Sequence, residues 1–341
     1  MSPSVHCLFP VGKEPGTSKE MLSDIDVARK SSLKSTGTVS LELGRRRCSA
    51  CGKIGWNIRC PECGGHTEYE QTDRFAGQNR ASVPVNLDEE LSKACAALGE
   101  SRPKALKCVE SLTSRKKVPE AIEKGILRAK NGVSTYKDGT VRYDMTDIPL
   151  THFRPSEIGL SVEKAIELGY TKDWNGNPLT DPDQLCELKI QDIIPAIECG
   201  DFMVKVANYV DDELEKIYGL KRYYNISKRD ELIGHIVFGL APHTSGGILC
   251  RIIGYSPARG CFGHPFFHAS KRRNCDGDED CIILAMDALL NFSFSFLPDR
   301  RGGLMDAPLV LTTRLDPNEI DKEAHNIDCL REYPLLLYES A

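Results

Sequence analysis

The sequence predicts an α+β protein in which a small four-cysteine ribbon is followed by helical connections and a compact β barrel. Three observations point there. Two C-x-x-C knuckles lie close together, at Cys48/Cys51 and Cys60/Cys63. Amphipathic helical patterns dominate the middle of the chain. After Arg229 the texture changes to short apolar and β-branched runs punctuated by glycine and proline: "LIGHIVFGLAP", "GGILCRIIGYS", "CFGHPFFHAS" and "APLVLTTRL". Short strands in that arrangement suit a barrel better than an open sheet.

The ribbon reads "CSACGKIGWNIRCPECGG". Each knuckle puts two thiolates on one tight turn, and Gly52 and Gly64 follow where the backbone must twist. Together Cys48, Cys51, Cys60 and Cys63 complete a tetrahedral shell for Zn2+. A shell of four cysteines has no open position, so this zinc is expected to be structural, holding a ribbon too small to fold by burial alone. A redox dithiol pair or two disulfides would be the alternatives. The chain holds 14 cysteines, but the other ten are scattered and no export signal precedes them.

At 341 residues with 40% hydrophobic content the chain is long enough for two or three domains with real cores. No apolar run is long enough to span a membrane, and a cytoplasmic location is expected. The net charge of −5 argues against a uniformly basic nucleic-acid coat. Locally the balance reverses: from Arg102 to Lys130 nine basic residues face three acids, a balance of +6. That tract, with Arg115, Lys116 and Lys117 at its centre, is either a solvated face or a backbone contact for DNA.

In chain order, residues 1–40 read as an irregular segment with a possible helix near Lys19 to Lys30, and 41–70 as the ribbon, entered by "VSLEL" and left by "HTEYE". Residues 71–135 read as a helical basic linker, with "DEELSKACAALGE" capped by Asp88 and "VPEAIEKGILRAK" carrying Pro119 in its first turn. Residues 136–341 read as the barrel domain, with a helical insertion at about 155–230. The "KDGT" turn is expected to join "VSTY" and "VRYDM" as a hairpin. "CFGHPFFHASKRR" reads as a strand, and "DCIILAMDALLNFSFSFL" as a largely buried helix that Asp280 can cap.

Between those two elements lies "KRRNCDGDED", Lys271 to Asp280. Asp276, Asp278, Glu279 and Asp280 repel one another unless a cation offsets them. An EF-hand calcium loop fits poorly, because Cys281 stands where glycine is needed and Asp287 where the last ligand is normally Glu. Two carboxylates separated by one glycine suit Mg2+, an ion that keeps several waters and shares its shell with substrate phosphates. Lys271, Arg272 and Arg273 then stand ready for phosphate oxygens. His264 and His268 are read as packed rather than catalytic.

"NCDGDED" followed by "RRGGLMDAPLVLTTRLDP" resembles the large, catalytic subunit of the archaeal D-family DNA polymerase. The likeness extends in order through "LFPVG", the ribbon, "PEAIEKGILRAK", "KDGTVRYDMTDIPLTHFRPSEIG", "LAPHTSGGILCRIIGYSPARGCFGHPFFHASKRRNCDGDED" and "YPLLLYES", and so covers nearly the whole chain. It implies a double-psi β-barrel core of the kind found in multisubunit RNA polymerases. In that pattern Asp276 and Asp278 hold catalytic Mg2+ beside Asn274, for template-directed transfer of nucleotides from dNTPs to a primer 3′-hydroxyl on primer–template DNA. The "HTSGG" and "GYSPARG" loops become phosphate or strand contacts. The implied partners are the small subunit with its 3′→5′ exonuclease, the remaining portion of the large subunit and, through a tail absent here, the sliding clamp; no membrane is involved. Because family large subunits are several times longer, the chain is expected to act only when assembled with complementary parts. The competing reading is a non-catalytic zinc-ribbon module for DNA docking and assembly.

Overall fold

The computed structural model describes residues 5–11, 18–20, 38–43, 46–69, 82–109, 118–272, 275, 277–297, 302–316, 318 and 334–340. These divide into two compact units: the first takes Met1–Val141, Lys205–Asn225 and Leu289–Leu304, and the second takes Arg142–Val204, Ile226–Ala288 and Met305–Ala341.

Among its described residues the first unit contains three small sheets. Strands β1 (Cys7–Pro10), β2 (Ser18–Glu20) and β8 (Lys107–Val109) form one, in the order β1-β8-β2. Strands β3 (Thr38–Glu42) and β7 (Ser82–Asn86) pair antiparallel. The ribbon is the third, with β4 (Arg46–Cys48) between β5 (Ile54–Gly55) and β6 (Thr67–Tyr69). The strands expected at "VSLEL" and "HTEYE" are therefore present.

The helix Leu87–Leu98 follows β7 directly and buries Leu87, Leu91, Ala94, Cys95 and Leu98, the stripe that a 3.6-residue period places on one face. Burying each leucine stabilises by about 1.5–3 kcal/mol. Its cap is Asn86, whose side chain accepts the Glu89 N–H, rather than Asp88, which lies inside the first turn. The second helix begins at Ile122, so Pro119 precedes it instead of occupying its first turn. That helix, Ile122–Asn131, approaches β1 so closely that Gly125 is required: a Cβ there would stand 2.4 Å from Cys7 Cβ. Its Arg128, with no exposed surface, forks onto both Glu120 oxygens at 2.7 and 2.8 Å.

The second unit is built on a barrel. Strands β9 (Tyr143–Pro149), β12 (Asp192–Ile194), β13 (Ile236–Leu240), β14 (Gly246–Ile252), β15 (Gly260–Gly263) and β16 (Glu279–Leu284) run in the order β12-β15-β9-β16-β13-β14. Pairing of β12 with β14 closes this circle of six, and β17 (Val310–Thr312) lies outside it against β14. The β9/β15 and β12/β14 contacts are parallel. Between the barrel strands lie the short pair β10 (His152–Phe153) and β11 (Cys186–Glu187), a 3-10 turn Pro155–Ile158 and the helix Val162–Glu167. Phe153, Ile158, Leu168, Tyr170 and Ile253 are among the side chains of their common core. The helix Ile197–Lys216 begins in the second unit and ends in the first.

Four expected elements differ. Glu279–Leu284 is a strand and only Ala285–Asn291 is helical, because the run Cys281–Leu284 is buried between β9 and β13. A short, continuously apolar run of this kind reads alike as buried strand or buried helix. Asp280 consequently lies within a strand and caps no helix. The expected strand "CFGHPFFHASKRR" stops at Gly263; His264 then caps the helix Pro265–Ser270 by accepting the Phe266 N–H, and Pro265 starts it. The "KDGT" turn forms, with Tyr136 N–H donating to Thr140, but β9 beyond it pairs with β15 and β16 instead of folding back as a hairpin. At the start of the chain Ser18–Glu20 is a strand, and the rest of the helix expected near Lys19 to Lys30 lies outside the described residues.

The close approach at Gly125 yields a direct expectation. Gly125→Ala should destabilise the first unit by about 1–3 kcal/mol through overpacking against Cys7, in spite of alanine's better helix propensity. Equilibrium denaturant unfolding would read this as a lower midpoint; an unchanged or higher midpoint would show that the helix and β1 can part freely.

Candidate functional site

Two groups of side chains stand out for chemistry, the ribbon cysteines and the segment that carries Lys271 to Asp280. In the ribbon, Gly52 N–H donates to Cys48 at 3.0 Å and Gly64 N–H to Cys60 at 2.9 Å, closing the two knuckles. Both glycines have the positive φ that such turns require, +71° and +69°. Buried Arg46 crosses between strands, its Nε donating to Thr67 Oγ1 at 2.8 Å. The Cys48 and Cys63 sulfurs are 3.4 Å apart and those of Cys51 and Cys60 3.6 Å, and all four lie within 4.8 Å of one another. Backbone donation, chiefly from Cys51, holds the Cys48 thiol at about 6. Despite the Gly65 N–H, the neighbouring Cys48 and Cys51 sulfurs push Cys63 up to about 12. Crowded thiols of this kind resist ionising together unless a cation offsets their charge, so the four fit a metal ion.

In the barrel, the helix Pro265–Ser270 packs on β13 and β15 through two glycines. A Cβ on Gly263 would meet His268 Nε2 at 2.9 Å, and one on Gly239 would meet Phe267 Cζ at 2.9 Å. This close packing brings Lys271 inside. Only 2% of Lys271 is exposed, and its ammonium lies 4.6 Å above the Phe267 ring. Lys271 Nζ donates to both Asp147 oxygens, at 3.1 and 3.2 Å, and to Asp280. His268 Nδ1 lies 3.2 Å from Asp147 Oδ2, and its Nε2 lies 3.1 Å from the Ile148 carbonyl oxygen.

The electrostatics follow from that enclosure. Burial pushes Asp147 up, but His268 and Lys271 outweigh it and hold the carboxyl well below its usual range. Burial, opposed by Lys271 and reinforced by the Asp147 charge, pushes Asp280 up to about 7. Burial would lower Lys271, yet the two carboxylates keep it above the ordinary lysine value. For His268, burial and Lys271 act downward against the pull of Asp147 and Ile148. Both ring nitrogens nevertheless face oxygens, an arrangement that makes two hydrogen bonds only when the ring carries two protons. Lys271 thus keeps its charge between the two carboxylates, and burial resists charging both Asp280 and His268.

Asp147, His268 and Asp280 are close enough together to hold a metal. Lys271 already occupies the position between the two carboxylates, and a dication there would meet the ammonium directly. The expectation that Lys271 contacts substrate phosphate is revised for the same reason: its charge is used within the barrel. Arg272 is exposed with φ +59°, and Asp278 is half-buried. The carbonyl of Asp278 accepts the Asp147 N–H at 2.9 Å, and Gly277 before it has φ +111°. Hard carboxylate oxygens at Asp278 and exposed Glu279 are the donor type that suits Mg2+. Asn274, Asp276 and Arg273, and the basic residues Arg115, Lys116 and Lys117, lie outside the described residues.

Asp147 was not singled out from the sequence. A signal existed: in "YDMTDIP" it shares with Met145 the buried phase of an alternating strand, and an acid in that phase needs a buried partner. Among the described residues no helix is long and apolar enough to cross a membrane.

A closed barrel with an acidic loop and a ribbon of four close cysteines define a two-part class of protein, and comparison with known families identifies it. Residues 99–341 match the family described as DNA polymerase II large subunit DP2, catalytic domain, and residues 1–80 match the central domain of the same subunit. The chain is 52% identical over 354 residues to the DNA polymerase II large subunit of Methanocella arvoryzae, covering 99% of this chain and 31% of that protein. For the subunit of Methanothermobacter thermautotrophicus the identity is 48%, with 99% of this chain and 30% of the relative covered; for that of Pyrococcus furiosus it is 47%, with 100% and 28% covered. The chain belongs to the DNA polymerase II large-subunit family. It spans about 30% of the length of these relatives.

The ribbon geometry makes a measurable statement. Elemental analysis of the purified chain should find one zinc per molecule, released on acidification as the thiolates protonate and lost in Cys48→Ser. A metal-free chain whose ribbon remains folded would contradict it.

Proposed function

We propose that this chain is part of the large subunit of a replicative DNA-directed DNA polymerase and contributes Mg2+-dependent nucleotidyl transfer to a primer 3′-hydroxyl. One observation carries the reading: the acidic segment before β16 sits on a closed barrel within the residues matched by the family's catalytic domain. The barrel is taken to be of the double-psi kind shared with multisubunit RNA polymerases, and the chain to be archaeal like its relatives.

Asp276 and Asp278 would hold Mg2+ with Asn274 beside them. When bound, that ion supplies Lewis-acid activation of the primer hydroxyl and offsets charge on the leaving pyrophosphate. The chain's own residues do the rest. Gly277, between the two aspartates, supplies a backbone turn with φ +111°, which is strained for any other residue. Arg272 and Arg273 face the triphosphate or the template strand as donors, and Arg115, Lys116 and Lys117 contact the duplex backbone without reading sequence. The ribbon would carry Zn2+ as a structural element. Partners in this reading are primer–template DNA, dNTPs, the remaining part of the large subunit, the small subunit with its 3′→5′ exonuclease and, through that remaining part, the sliding clamp.

Primer extension tests it. This chain, assembled with the rest of the large subunit and with the small subunit, should extend a primer in Mg2+, and Asp276→Ala/Asp278→Ala should lower the rate by at least about a thousandfold. Extension that survives the double substitution would put the chemistry elsewhere and leave this chain a docking and assembly part.

A further inference from the structure

We propose that Lys271, Asp147 and Asp280 form a positioning set that fixes the Asp278 carboxylate for metal binding, an inference that rests on the polymerase reading of the acidic loop.

The Lys271–Asp280 contact ties together two residues nine apart, one at each end of the loop, so the loop is closed at its base. Asp147 touches both that closure and the proposed ligand residue: its carboxylate holds Lys271, and its N–H donates to the Asp278 carbonyl. His268 braces the Asp147 carboxylate from the preceding helix and is itself oriented by Ile148. Exposure of Asp147, Lys271 and Asp280 is 2% each, and of His268 none, so none of the four can reach DNA or nucleotide.

A purely structural role would not call for this chemistry. Apolar side chains of similar volume usually stabilise a barrel at least as well as a buried ion cluster. What apolar packing cannot do is define direction. Charged hydrogen bonds on both ends of the loop, with the Asp278 carbonyl pinned to β9, restrict where its carboxylate can point. Lys271 and Asp147 act through Asp278 and are positioning residues.

Lys271→Met alone would leave two buried carboxylates facing each other and is expected to lose the fold. Lys271→Met/Asp280→Asn removes the opposed charges together and leaves Asp147 bound to His268. In this chain joined to the rest of the large subunit, Mn2+ binding is followed by the paramagnetic resonance of the free ion, beside primer–template affinity and the melting midpoint. The double variant should weaken Mn2+ binding by about 10–100-fold while DNA affinity and melting stay near wild type. Should it melt early, Asp280→Asn, which keeps the Lys271–Asp147 contact, should still weaken Mn2+ binding several-fold; unchanged affinity in that variant overturns the proposal. Unchanged Mn2+ affinity in the double variant, with Asp278→Ala losing the ion, overturns the positioning role and leaves the polymerase reading standing. If Asp278→Ala binds Mn2+ as tightly as wild type, the loop is not the metal site and both readings fall.

Discussion

The barrel's chemistry depends on one lysine being held inside it. Lys271 follows a six-residue helix that fits against β13 and β15 only because Gly239 and Gly263 carry no side chain. Once there, its ammonium must have counter-charge, and β9 and β16 supply it through Asp147 and Asp280. A buried ammonium without partners would cost several kcal/mol. The helix, the two strands and the loop between them are therefore linked by one electrostatic requirement, in a place where dispersion alone would tolerate several arrangements.

That requirement separates two kinds of acid that sequence alone shows as a single cluster. Asp280 turns inward and serves the barrel; Asp278, two residues earlier, is half-buried at the loop. The crowding of "DGDED" is thus partly relieved by a cation the protein itself provides. In the first unit Arg128 plays a comparable part, forking onto Glu120 while its Nη1 also donates to the His6 carbonyl. Both networks fix strand and helix ends that apolar contact would leave free to slide.

Much of this was legible in the sequence, for reasons specific to particular residues. The ribbon was readable because four cysteines at fixed spacing have few other uses. Short apolar and β-branched runs punctuated by glycine and proline announced the short strands of the barrel, and the family likeness rested on long tracts. The failures were local. "DCIILAM" carries no period that separates strand from helix, and only pairing with β9 and β13 decides it. His264 looked like part of a strand because "CFGHPFF" is continuous in apolarity, yet a histidine before proline is also a helix start. Lys271 was grouped with Arg272 and Arg273 by charge, whereas burial distinguishes it from exposed Arg272, and that burial depends on two distant glycines.

Lys271 fills the space between Asp147 and Asp280, which leaves a metal only the loop to bind. The most direct test is a structure of the assembled polymerase with primer–template, incoming nucleotide and Mn2+, with the ion located by anomalous scattering. The account predicts an ion at the Asp276 and Asp278 carboxylates and Lys271 still seated between Asp147 and Asp280. An ion bound by Asp147, His268 and Asp280, with Lys271 displaced, would contradict it.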